Sequence, residues 1–301
     1  DCSSRGLGDV YKRQLLGYMY TDIPYWILEE KEQKNNKDNI MIYPWLNTIL
    51  KLGAHNEGKK QWIKLLKKNH GSPDKVAEIW GFKKKSAYKV TWENLLRNHN
   101  WFNPKIKKKA KNDMVSFMKM IATKWYQLHY QTIKKYDQNH LILADKNMID
   151  SYNSWLIDPL KNYVDVIVIQ SYNLFSEDTK ITDWIYKKTG KPIFNGDGSF
   201  AFVRNKQKKL KVKGWWTGSK TIKDVALKYK SSLKNMMKKN YMIGWHHCGI
   251  LEQWDTAERG DVLSNENGFM DPYENFHSEL TNVMKKINLK VVELHEKSNK
   301  Y

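Results

Sequence analysis

The run "VDVIVIQSY", Val164 to Tyr172, constrains this chain more than any other stretch. Five of its first six residues are β-branched, and no polar residue alternates with them. Such a strand must be covered on both faces, which is the condition of a parallel sheet flanked by helices. Four further strand candidates fit beside it. They are "LLGYMYTD" (Leu15 to Asp22), "HLILAD" (His140 to Asp145), "KPIFNGDGSF" (Lys191 to Phe200) and "YMIGWHHCGIL" (Tyr241 to Leu251).

Helical patterns separate these runs. Asn112 and Asp113 are read as the cap of a helix running to about Tyr136, with Met114, Met118, Ile121, Trp125, Leu128 and Thr132 at three- and four-residue steps. Thr179 to Lys188 reads as a short helix closed by Gly190 and Pro192. Thr221 with Asp224 opens another towards Lys239, and Asn275 to Asn288 supplies the last. The alternation implies an α/β fold with a parallel sheet and right-handed crossovers. At 301 residues the chain is long enough for one such domain.

One connection breaks the pattern. Residues 28–111 are too many for an ordinary strand-to-helix loop and read as a helical insertion, either a solvated appendage or a lid. Inside it, "SPDKVAEIWG" carries Ser72 as N-cap, Pro73 in the first turn and Gly81 as stop. "KKQWIKLLKKNHG" is amphipathic, with Trp62, Leu65 and Leu66 on one side.

In parallel βα folds, ligands bind at the carboxyl ends of the strands. Those ends carry Asp22, Asp145, Gln170 with Tyr172, Asp197, and Trp245 with His246 and His247. Each aspartate alone is an ordinary turn former. Together they offer the paired carboxylates that glycoside hydrolysis needs, one giving a proton to the leaving oxygen and one attacking or stabilising the sugar cation. Asp197, between Gly196 and Gly198, suits the second role. Trp245 is equally a sugar platform or a core residue. The chain's 13 Trp and 17 Tyr exceed what most cores require and suit stacking on sugar rings.

Other chemistries are poorly served. His246 and His247 are adjacent and point to opposite faces of a strand. No His-x-x-x-His or Cys-x-x-Cys spacing, phosphate-binding glycine loop or G-x-S-x-G elbow occurs. No metal or cofactor is therefore expected. Cys2 and Cys248 form no disulfide framework. No apolar run is long enough to span a membrane.

The formal charge of +20 invites an anionic-polymer reading, whether nucleic acid or sulfated glycan. Arginine, which reads bases and phosphates in two-pronged fashion, is confined to Arg5, Arg13, Arg97, Arg204 and Arg259, which argues against nucleic acid. The lysine and asparagine excess is what an AT-rich genome writes onto solvated faces. Residues 1–14, "DCSSRGLGDVYKRQ", lack that bias and look like adapter read-through, so the expectation is that residues 15–301 continue a longer natural chain.

Six stretches resemble a known family: "GYMYTDIPYW", "YDQNHLILADK", "VDVIVIQSYN", "KTGKPIFNGDGSF", "IGWHHCGILEQW" and "NGFMDPYENF". They stand in the order seen in agarase-like glycoside hydrolases, of the (β/α)8 barrel clan that includes β-agarases and β-galactosidases. The resemblance covers Leu15 to Asn288. It implies a partial TIM barrel, strands four to eight, with a helical insertion after strand four. It implies a glycosidase acting on a polysaccharide of the algal galactan class, secreted or periplasmic. Relatives carry Asn-Glu at the end of strand four, where this chain has Asp22-Ile23, and Glu on strand seven, where it has Asp197. The resemblance thus points to Asp22 as acid and Asp197 as nucleophile or base. Asp145, Gln170, Tyr172, Trp245, His246 and Glu252 would then line the sugar site, and Asp145, Glu252 or Asp255 are alternative proton donors. A catalytically silent sugar-binding barrel is the other outcome of these substitutions.

Overall fold

A computed structural model describes residues 15–27, 42–82, 90–101, 108–200, 219, 221–252 and 268–298. The read-through segment 1–14 and Asp255 lie outside the described residues. The strands are β1 (Gly17–Asp22), β2 (Leu141–Met148), β3 (Ile167–Gln170), β4 (Ile193–Gly198) and β5 (Met242–His247). They form one sheet in chain order, and every neighbouring pair is parallel. All five strand candidates are present, and every residue of β3 is buried, as its β-branched run demands. Leu143, Val166 and Val168 pack together beneath the sheet, with Leu141 and Phe194 against them.

The helices are α1 (Pro44–Lys51), α2 (Glu57–His70), α3 (Pro73–Trp80), α4 (Trp92–Arg97), α5 (Lys108–Tyr136), α6 (Ser154–Tyr163), α7 (Phe175–Thr189), α8 (Ile222–Met236), α9 (Ser278–Asn288) and α10 (Val291–Ser298). Two compact units share them. One carries the sheet, with the chain up to Asp22, Asn139–Asp150 and everything from Val164. The other is helical and consists of Ile23–Gln138 and Ser151–Tyr163.

Local chemistry explains several helix ends. Ser72 accepts from the Lys75 amide at the start of α3, and Gly81 closes it at φ 69°, in the left-handed region. Thr221 caps α8 by accepting from the Asp224 amide. One expected cap is corrected: α5 begins at Lys108, so Asp113 lies inside the helix. There it is 1 % exposed and accepts from His70 Nε2, Asn69 Nδ2 and Trp80 Nε1. It serves the buried donors of α2 and α3 rather than the helix end.

The helical unit also accounts for most of the tryptophans. Trp62, Trp80 and Trp101 meet edge to face with Phe117. Trp26 packs on Trp45, Trp125 and Trp155. None of the ten described tryptophans is exposed. The excess is spent on offset aromatic packing between helices, which contributes beyond simple area burial.

Candidate active site

The register of the sheet sets the site. Asp22, the last residue of β1, lies opposite Lys146 of β2. Met148 of β2 lies opposite Gln170, the last residue of β3, and Gln170 lies opposite Asp197 near the end of β4. Paired residues on neighbouring strands share a face, so one row of side chains crosses four strands at their carboxyl ends. Irregularities in the β1–β2 ladder, between Tyr18 and Met19 and again before Asp22, adjust that register. Ala144 on β2 takes φ 59° beside them. Directly after Asp22 the backbone is strained, with β-branched Ile23 at φ 26°.

The row converges on one ammonium. Lys146 Nζ lies 3.2 Å from Asp197 Oδ2 and 3.5 Å from Asp22 Oδ1. Those two oxygens can therefore be no further apart than the sum of these contacts, about 6.7 Å. Burial pulls the lysine's pKa down, but the Asp197 charge, and Asp22 after it, outweigh that and leave it raised. Gln170 Nε2 donates to the same Asp197 oxygen at 3.2 Å and also to the Tyr172 hydroxyl at 3.0 Å. Tyr172 in turn donates to Cys248 Sγ at 3.6 Å. Burial raises the Tyr172 phenol well above its ordinary range, and it raises the Cys248 thiol to about 11, with a hydrogen bond to Asp197 adding to the shift. Asp197 is thus held by a cation, an amide and a neutral thiol.

β2 does not end at Asp145 but continues to Met148, because Lys146, Asn147 and Met148 all pair with neighbouring strands. Asp145, fully buried, faces away from Lys146 by strand alternation. Trp245 packs its indole among Tyr229 of α8, Phe200 and His247, with ring centroids 4.9, 5.7 and 6.1 Å away. His246 alternates to the other side and is exposed. Glu252 is buried and accepts from His277 Nε2 at 2.7 Å. The structure therefore gathers Asp22, Gln170, Tyr172 and Asp197 around one point.

Lys146 and Cys248 were not singled out by the sequence reading. One lysine in a lysine-rich chain carries no signal, although "ADK" sets it directly after the carboxylate of Asp145. Among the described residues no group of three or more His, Cys, Asp or Glu side chains is placed to hold a metal. No described helix is long and apolar enough to cross a membrane. A surface cavity of about 500 Å3 lies in the helical unit, lined by Lys119, Thr123, Asp158, Pro159, Lys161 and Asn162. It shares no residue with the strand-end row.

The five-stranded parallel sheet presents Asp22, Lys146 and Asp197 at its carboxyl edge, where parallel βα folds bind their ligands. Solved agarases share this fold. An exo-β-agarase matches with a TM-score of 0.74 at 15% identity, over 93% of this chain and 36% of its own. The agarase AgWH50C matches with 0.70 at 15% identity, over 93% and 37%. A β-galactosidase from the psychrophilic Marinomonas ef1 matches with 0.50 at 11% identity, over 79% and 38%. The likeness to agarase-like glycoside hydrolases suggested by the six motifs is thus present at the level of fold. The chain spans little more than a third of the length of these agarases. No protein-family model matches the sequence, and no curated protein matches it.

Proposed function

We propose that this chain is the site-bearing part of a glycoside hydrolase that cuts a polysaccharide of the galactan class. Its strands would correspond to the fourth to eighth of an eight-stranded barrel. One observation carries the reading: Asp22 and Asp197, from strands three apart in the sheet, meet at a single ammonium at the carboxyl edge. Asp197, the better buried and better held, is the nucleophile, and Asp22, 58 % exposed, is the acid. Carboxyl groups about 5–5.5 Å apart retain the anomeric configuration, and separations of about 6.5–9.5 Å invert it. The facing oxygens lie within about 6.7 Å of each other, a limit that reaches both ranges, and retention is the course proposed with Asp197 as nucleophile. The resemblance to agarase-like enzymes supports a secreted or periplasmic setting for this activity.

A second reading, a barrel that binds sugar without cleaving it, is favoured by Lys146 pairing with both carboxylates at once. The two readings separate in one assay. The full chain is incubated with agarose-derived oligosaccharides, with products followed by chromatography and their anomer by NMR. The hydrolase reading expects turnover with retention, cut by at least roughly 100-fold in Asp197→Asn and in Asp22→Asn. Binding with no turnover supports the silent barrel, and full activity in both variants rejects these assignments. A basic polymer binder would instead lose affinity steeply with salt.

A further inference from the structure

We infer that Lys146 is a positioning residue that ties Asp22 and Asp197 into one charged unit and releases Asp22 when that group takes up its proton. The inference rests on the two-carboxylate reading above. β2 and β4 are separated by β3, two strand spacings or about 9.6 Å, which only a long side chain can cross. Lys146 does so by laying its stem over Gly196: a Cβ there would stand 3.4 Å from its Cγ and Cδ and 2.5 Å from Val168 Cγ1. The glycine next to Asp197 therefore makes room for the lysine as well as for backbone approach.

The two ends of the bridge differ. Asp197 is 10 % exposed and 3.2 Å away, whereas Asp22 is 58 % exposed and 3.5 Å away. An ion pair in open water holds weakly, so the Asp22 end yields first and the Asp197 end stays. That asymmetry matches what the reaction asks of each group. An Asp197 oxygen bonds to the anomeric carbon while the bond from that carbon to the leaving oxygen breaks, and the Asp22 proton passes to the leaving oxygen. Asp22 is then ionised, and Lys146 can pair with it again. Water next attacks the anomeric carbon, gives its proton to Asp22, and frees Asp197.

The test compares the full wild-type chain with Lys146→Met, Lys146→Arg, Asp22→Asn and Asp197→Asn. Turnover is measured on agarose-derived tetrasaccharide, and the lysine side-chain amine is titrated by 15N NMR. Lys146→Met is expected to lose roughly 100-fold in kcat with KM little changed, the cost of about 1 Å of misplacement, and Lys146→Arg to recover part of it. The Lys146 amine is expected to titrate above the ordinary lysine value and to step down separately in Asp22→Asn and Asp197→Asn. Wild-type kcat in Lys146→Met, with Asp197→Asn inactive, overturns the role of Lys146 and leaves the hydrolase reading intact. If the wild type turns over nothing but the amine steps down in both variants, the hydrolase reading falls and the charged unit stands. An amine unmoved by either substitution overturns the inference outright.

Discussion

The Cys248 thiol lies against Asp197 and receives the Tyr172 hydroxyl, and burial first, then Asp197, pushes its pKa up to about 11. At neutral pH it is a protonated donor to the carboxylate and a poor nucleophile. In a Cys2→Ser background, iodoacetamide at pH 8 should therefore modify Cys248 roughly tenfold or more slowly than a free thiol. Mass spectrometry of the labelled peptide reads the rate, and labelling at the free-thiol rate would refute a protonated thiol. At this scale the sequence revealed side chains whose type announces chemistry at a strand tip, namely Asp22, Gln170, Tyr172 and Asp197. It concealed Lys146 and Cys248, whose importance comes from what lies across the sheet. It also placed the end of β2 at Asp145, whereas three further pairing residues, Lys146, Asn147 and Met148, carry the strand on and change which residue stands at the edge.

Elements were legible where a side chain marks their ends. Thr221 opens α8 by accepting from the Asp224 amide at 3.1 Å, and Ser72 opens α3 in the same way. Thr221→Ala should lower stability by ~1 kcal/mol, with Thr221→Ser close to wild type. Urea midpoints check this, and an unchanged midpoint in the alanine variant would mean that the cap contributes nothing. Where the structure sets no such cap, the start was misplaced. α7 begins at Phe175 behind Leu174 and α9 at Ser278 behind His277, neither with a side-chain cap bond. Without a capping side chain, the first turn is set by packing and leaves little trace in composition.

At the scale of the molecule, one buried thiol and four phenols among the described residues share one sign. Cys248 and the phenols of Tyr43, Tyr172, Tyr229 and Tyr241 are all raised, chiefly by burial. Each binds its proton more tightly when folded, so its contribution is whole below the ordinary values of 9.0 for the thiol and 10.0 for the phenols. It is lost as pH climbs through the folded values. Lys146 has the same sign, while Lys59, lowered by burial, opposes it. The thermal midpoint should fall above about pH 9, and Cys248→Ser should delay the onset. Melting curves from pH 7 to 11 test this, and a midpoint constant to pH 11 would contradict it.

The alternation of strand and helix, the double burial of β3 and the acidic strand ends belong to the sequence alone. They depend on periodicity and polarity, which are local. Tertiary structure decided the rest: the tryptophans packed between helices, Asp145 turned inward, and Lys146 laid across β3 to join two carboxylates. Those outcomes depend on register, ladder irregularities and the space left by Gly196. Such features exist only once strands distant in the chain have paired.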